Sequence, residues 1–416
     1  MIGIIGCGAS GMLAAIMAAR EGASVTVFEH NEKAGRKLLA TGNGKCNLTN
    51  DDQKLSNFRG GDRDAIETIL ASFTEQDELD FFRGIGILTK EKRGYRYPHS
   101  EQAASVVNVL TAELRRLRVR ILYGADVTGI TAENGGFRIS YTCGSEKCNT
   151  VVSSCILASG GPAGERLGES DEGFRMLRNL SVSVGRYVPA LVPLMTDNKH
   201  AKTVSGVRLE AGVTLTVSEN EKTYTYKERG EIVFTDYGVS GIPVMQLSRF
   251  ASVALDRGES AKIALDFMPE YTKEEVIAEI TKRSGGHFSH CTVEEALEGL
   301  VPCKLRYVLL LRAGIDPLKP ATALTGKEIE ALVREYTEMT MKVTGTRPFA
   351  NAQVTCGGVD LKEIDPSGCE VKKLPGLYVT GELLDMDGNC GGYNLQWAFA
   401  TGAIAGRAAA KREKAQ

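Results

Sequence analysis

Six residues near the start of the chain, Gly6-Cys7-Gly8-Ala9-Ser10-Gly11, carry three glycines at the spacing that lets a backbone wrap a pyrophosphate. The apolar run Ile2-Gly3-Ile4-Ile5 leads into them. The amphipathic stretch Met12 to Glu21 follows, and a second apolar run, Val25-Thr26-Val27-Phe28, ends in Glu29. This is a strand–turn–helix–strand context with an acid about 20 positions on, the pattern of a dinucleotide site. Gly6 permits the tight turn, Gly8 the close approach of backbone to phosphate, and Gly11 the packing of helix on strand. Ala9 and Ser10 open a helix whose free N–H groups face the anion. Glu29 accepts from ribose hydroxyls and repels a 2′-phosphate, which favours FAD or NAD.

Three further segments carry residue types suited to the same ligand. Gly381-Glu382 follows the strand-like run Leu377-Tyr378-Val379-Thr380, a position from which an acid can bond a ribityl chain. Asp387 to Ala398 contains Cys390, Gly391, Gly392, Tyr393, Asn394 and Leu395. Its glycines admit a flat ring, and the first N–H groups of the following helix can stabilise negative charge on that ring. Ala34 to Asn50 contains Arg36 and Lys37, cations suited to ribose or pyrophosphate, and Gly42 and Gly44, where backbone can approach a ligand. Ala158-Ser159-Gly160-Gly161-Pro162 is a second strand-to-turn sequence returning to the cofactor.

Groups able to do chemistry beyond binding are few. Cys46 and Cys390 fall in the glycine-rich segments, where a small packed residue is the plainer reading than a redox thiol. Tyr393, Tyr95 and Tyr97 could donate a proton to a reduced double bond, against a default of aromatic packing. Cys143 and Cys148 have the spacing of a redox dithiol but lie between strand-like runs, as at a hairpin tip. His287, His290 and Cys291 lack partners at ligand spacing, so no metal site is expected.

The elements that must position these groups follow from periodicity. Residues 62–84 and 99–118 read as helices, and 119–156 as strands. From 189 the texture becomes alternating strands, Val207 to Val217, Thr223 to Lys227, Glu231 to Phe234 and Ala261 to Phe267, with a short helix over Ser240 to Leu255. Residues 272–283, 292–300, 302–313 and 325–340 read as helices, with Thr272 and Thr292 as N-caps. The expected division is 1–188 as the first part of a nucleotide domain, 189–270 as a β-barrel-like insertion, 271–340 as a small helical subdomain, and 341–416 as the return to the nucleotide domain.

Bulk properties narrow the class. The chain has 416 residues, 43% hydrophobic and 25% charged, with a formal net charge of −2. That length calls for more than one domain. Arg115 to Arg120 is the densest basic stretch and suits a helix C-terminus, so no nucleic-acid partner is expected. No apolar run reaches membrane-spanning length and none resembles a leader, so a cytoplasmic protein with reduced thiols is expected.

Taken together, the stretches Gly6–Ala15, Gly35–Asn50, Ala158–Ala163, Val233–Arg249, Val354–Gly368 and Leu374–Gly406 resemble the BaiN-like and aminoacetone-oxidase-like FAD-dependent oxidoreductases. The resemblance covers essentially the whole chain. It implies an α/β fold: a two-dinucleotide-binding-type, Rossmann-like FAD domain, split by a β-barrel-like domain and a small helical domain. It implies tightly bound FAD contacted by Ala9, Ser10, Glu29, Arg36, Lys37, Cys46, Val127, Glu382, Asn394 and Leu395, with Val127 offering backbone to adenine.

The function expected is hydride transfer between flavin N5 and a small or medium organic substrate held between the FAD domain and the insertion. Reduction of an activated C=C bond is favoured. Only one dinucleotide fingerprint is present, so NADH or NADPH would visit the flavin transiently. The rival readings are an FAD-dependent amine oxidase or dehydrogenase, an RNA-binding or RNA-modifying flavoprotein, and a flavin-binding protein without activity.

Overall fold

The computed structural model describes residues 1–164, 170–219 and 222–415. They form two compact units, Met1–Tyr187 with Gln353–Gln416, and Val188–Ala352.

The first unit is built on a seven-stranded sheet in the order Ile364–Asp365, Glu370–Val371, Leu377–Val379, Ser154–Leu157, Ile2–Ile5, Val25–Glu29, Arg120–Tyr123. Leu377–Val379 through Arg120–Tyr123 run parallel, with Ile2 opposite both Ser154 and Val25. The three central strands are buried along their whole length, so both faces of the sheet are covered, as parallel sheets require. Helix Ala9–Arg20 is apolar nearly all round and buries Ser10 through Ala18. It lies against the final helix, Tyr393–Ala415. Gly402 and Gly406 make that approach possible: a Cβ on either would run into the carbonyls of Ser10 and Ala14.

The helix expected over 62–84 is two helices, Arg63–Ser72 and Glu75–Gly84. The break is local chemistry, because Thr74 and Asp77 form a reciprocal capping box that starts the second helix. Three antiparallel strands, Ala125–Glu133, Gly136–Cys143 and Glu146–Val152, form a separate sheet of this unit that includes Tyr141, whose ring packs edge-on against Phe28 at 5.0 Å. Cys143 and Cys148 flank the tight Gly144-Ser145 turn and both are free thiols.

The second unit contains a closed six-stranded barrel: Leu194–Thr196, Gly238–Ser240, Lys222–Phe234, Arg208–Glu219, Ala261–Asp266 and Met339–Thr346. The strands read separately as Thr223 to Lys227 and Glu231 to Phe234 are one long strand, with Gly230 passing Pro243 closely at its middle. Helices Lys273–Arg283, Val293–Ala296 and Gly326–Thr337 each begin at a threonine capping box.

Two boundaries differ from expectation. The helix read over 325–340 stops at Thr337, and Met339–Thr346 closes the barrel. Its buried positions alternate (Met339, Met341, Val343), which is strand rather than helix spacing. The return to the nucleotide unit therefore falls after Ala352, not at 341. The helices also share one hydrophobic cluster with the barrel, from Leu194 through Val343, instead of enclosing a core of their own.

Candidate nucleotide site

The glycine turn sits where the parallel strands end. Gly6 has φ +98°, and a Cβ there would stand 2.5 Å from the Ala158 carbonyl, so the turn after Ile2–Ile5 presses on the turn after Ser154–Leu157. A Cβ on Gly11 would overlap the Gly6 carbonyl, whereas one on Gly8 would meet nothing within 4 Å among the described residues. Two of the three glycines thus serve the fold, and the third faces free space. Open backbone at a helix N-terminus is what a phosphate needs.

Glu29 ends its strand with only 5% of its surface exposed. Its carboxylate accepts from the Cys7 N–H at 2.8 Å, the Asn31 N–H at 2.8 Å and Asn31 Nδ2 at 2.9 Å. Asn31 Oδ1 in turn accepts from Arg36 at 3.0 Å. The acid is therefore fixed beside the glycine turn, with Arg36 on the exposed side. Val127 is buried opposite Tyr141, the residue that packs on Phe28 one position before Glu29.

Gly381 and Glu382 stand at the end of Leu377–Val379. Gly381 has φ +66° and touches Ser10 of the first helix. Its N–H donates to Thr401 Oγ1 at 2.9 Å, and its carbonyl accepts from Trp397 Nε1 at 3.1 Å. Glu382 Oε1 accepts from the Thr355 N–H at 2.8 Å, and Oε2 is 2.6 Å from Lys37 Nζ. A Cβ on Gly161 would meet Thr355 Oγ1 and Glu382 Oε1, which places the second turn in the same corner. Gly160 precedes it with φ +76°, and Ser159 Oγ is buried with no hydrogen-bond partner among the described residues. Lys37 and Glu382, expected as separate ligand contacts, are thus partners of each other.

The loop before the final helix is held by polar staples. Gly392 has φ +100° and presses on the Thr49 backbone. Asn394 closes the loop on itself, Nδ2 donating to the Gly388 carbonyl at 3.0 Å and Oδ1 accepting from the Gly388 N–H at 2.8 Å. Leu395 N–H donates to the Gly392 carbonyl at 3.0 Å. Gln396 accepts from Thr49 Oγ1 at 2.8 Å and donates to Gln53 at 2.7 Å.

Of the candidate reactive groups, Cys46 is fully buried with φ +58°, and burial pushes its thiol up to about 12, so it stays protonated and inert. Gly44, two positions earlier, is exposed with φ +82°. Tyr393 is covered: its ring packs edge-on against Phe58 at 5.2 Å, and its oxygen accepts from Asn57 Nδ2 at 3.1 Å. Burial raises its phenol to about 12. Tyr95 is half-buried, its ring beside Gly391 as that of Tyr393 is, and Cys390 is half-buried in the same loop.

Thr355, Thr401, Trp397 and the Thr49–Gln396–Gln53 staple were not found from the sequence. The available signal was polarity out of place: Gln396 and Thr401 stand buried in Gln396–Gly406, a stretch of the helix otherwise made of apolar and small residues.

A nucleotide turn at the carboxyl ends of parallel strands, with an acid fixed beside it, defines a Rossmann-type dinucleotide protein, and this one is an FAD-dependent oxidoreductase. The family described as the HI0933-like protein Rossmann domain matches residues 1–408. The chain belongs to that family. It is similar to a 3-dehydro-bile acid delta(4,6)-reductase of Clostridium scindens, 40% identical with 99% of each chain covered. It is also similar to a ribosomal RNA dihydrouridine synthase of Haemophilus influenzae, 28% identical over 96% of this chain and 95% of that one. Among solved structures it shares the fold of a 3-ketosteroid delta1-dehydrogenase from Sterolibacterium denitrificans, with TM-score 0.52, 12% identity and 99% of both chains covered. No helix among the described residues is long and apolar enough to cross a membrane.

Proposed function

We propose that the protein reduces an activated C=C bond of a small organic substrate, with NADH or NADPH as the transient electron donor. The observation that carries this reading is the 40% identity, over essentially the full length of both chains, to a relative named as a delta(4,6)-reductase. The more distant relative's name supports the same reaction class, since dihydrouridine is uridine with its ring C=C bond reduced. The two names agree on the bond and differ on the molecule that carries it. Ten free cysteines support a reducing, cytoplasmic setting.

The residues present fit FAD. Gly8 offers unobstructed backbone, Glu29 a fixed buried acid, and Gly391 and Gly392 left-handed backbone ahead of a 23-residue helix. When bound, FAD supplies the hydride-transferring centre. In this reading Glu29 holds the ribose hydroxyls. Gly6, Gly8, Ala9, Ser10 and Gly11 receive the pyrophosphate, with Arg36 beside it. Val127 borders the adenine, with Gly44 and Cys46 on the glycine-rich loop. Gly160, Gly381, Glu382 and Lys37 line the ribityl chain, and Gly392, Asn394 and Leu395 face the flat ring. Tyr95 delivers the proton that balances the hydride, while Tyr393, already covered and bonded, holds the loop.

The test is anaerobic mixing of the FAD-loaded protein with NADH or NADPH, followed by a conjugated enone. Bleaching of the flavin absorbance and its return on adding enone are the expected results. Failure of both nucleotides, with peroxide formed from a primary amine in air, would replace the proposal with an amine oxidase.

A further inference from the structure

The barrel unit carries a groove of about 610 Å³ lined by Asp197, Lys199, His200, Lys262, Arg312 and Lys342, among other residues. Four permanent cations and one carboxylate face it, in a chain whose net charge is −2. Lys262 and Lys342 are directly opposed on the antiparallel strands Ala261–Asp266 and Met339–Thr346, both on the exposed face. Like charges in that position repel and weaken the strand pair. Neither of them, nor Lys199, has an ion-pair partner among the described residues.

The remaining groups do not relieve the repulsion. Asp197 Oδ1 accepts from the backbone N–H of Lys342 at 2.9 Å, and the Asp197 N–H donates to the Lys342 carbonyl at 3.1 Å. The one carboxylate is thus tied to the strand's backbone rather than to the ammonium groups. Arg312 is anchored by Glu335 at 2.6 Å and the Thr340 carbonyl at 2.9 Å, through Nε and one terminal nitrogen. Its second terminal nitrogen has no partner among the described residues.

We propose that this groove binds a small phosphate-bearing molecule. Lys262 and Lys342 hold one phosphate between them, and Lys199, His200 and Arg312 supply the flanking positive charge. A compact ligand is favoured over a polynucleotide because the cations converge on one groove of an otherwise slightly acidic chain.

The test uses FAD-loaded protein, so that the dinucleotide turn is already filled. Inorganic pyrophosphate, ADP and a polyuridylate RNA are titrated by calorimetry. The expected result is saturable binding of pyrophosphate and ADP, weakened about tenfold or more by the double variant Lys262→Ala/Lys342→Ala. A second variant, Lys262→Glu, places an opposite charge across from Lys342. It should raise Tm by about 1 °C or more without ligand and abolish the rise that pyrophosphate gives the unmodified protein. Absence of saturable pyrophosphate binding, equal affinity in the double variant, or binding of the RNA alone would each overturn the proposal.

Discussion

Lys37 Nζ stands 2.6 Å from Glu382 Oε2 across 345 positions of sequence. Lys37 comes from the short helix after the first βαβ unit, and Glu382 from the strand end where the chain returns. The other Glu382 oxygen is bonded to the Thr355 N–H, so a single carboxylate ties together three stretches of the nucleotide unit. The pair is part-buried, and removing one partner leaves the other poorly compensated. Lys37→Met is expected to weaken FAD binding about tenfold, and Glu382→Gln comparably. The double variant should lose less than the sum, with a coupling of about 0.5–3 kcal/mol in a double-mutant cycle on FAD affinity. Strict additivity would show that each residue meets the cofactor alone.

The two kinds of glycine in the first turn separate fold from ligand. Gly8→Val introduces a side chain into open space, so the apo protein should keep its Tm while FAD affinity falls tenfold or more. Gly11→Ala drives a methyl into the Gly6 carbonyl and should cost the apo protein about 1–3 kcal/mol. Thermal melts with and without FAD check both.

Glu78 is fully buried on helix Glu75–Gly84, with neither carboxylate oxygen hydrogen-bonded among the described residues. Burial holds its pKa well above the usual 4.5, with the charge of Glu75 adding to the effect. The folded state therefore keeps a proton that the unfolded chain releases above about pH 4.5, and stability falls as pH rises from there toward the folded pKa. Glu78→Gln should flatten that slope in denaturant titrations between pH 5 and 8. An unchanged slope would assign the pH dependence to other groups.

Proton delivery should divide the two tyrosines beside Gly391. Tyr95→Phe is expected to leave flavin reduction by the nucleotide intact and to slow enone reduction about 10²-fold or more. Tyr393→Phe removes only the acceptor of the Asn57 bond, and should lower stability by about 1 kcal/mol with little effect on rate. The reverse pattern in stopped-flow traces would transfer the role to Tyr393.

Thiol labelling should follow burial. Cys303 is exposed and should react first with a maleimide, while Cys7, Cys46, Cys155, Cys356 and Cys369 should react only on unfolding. Burial raises the Cys46 and Cys155 thiols to about 12 and those of Cys7 and Cys369 further, which removes their thiolates at neutral pH. Mass mapping over a time course checks the order.

What could be read from sequence was the chemistry that is local. Gly6 through Gly11 with Glu29 are legible because turn, helix start and acid lie within one βαβ unit. The Lys37–Glu382 pair was hidden, since nothing in either segment encodes a partner 345 residues away. Met339–Thr346 was misread in part because Met and Thr serve helix and strand alike, and only its place in the barrel settles the matter. Thr355 and Thr401 escaped because a hydroxyl that satisfies one backbone N–H in a buried strand or helix leaves no motif.

The close crossing of Gly402 and Gly406 over Ser10 and Ala14 has a consequence for synthesis. The helix Ala9–Arg20 is synthesised well before the helix Tyr393–Ala415 that covers it. Throughout translation of the intervening chain, the buried face Ser10–Ala18 lacks its cover, while residues 188–352 have time to close their own barrel. The nucleotide unit can therefore be completed only once Tyr393–Ala415 has emerged, long after the glycine turn it backs.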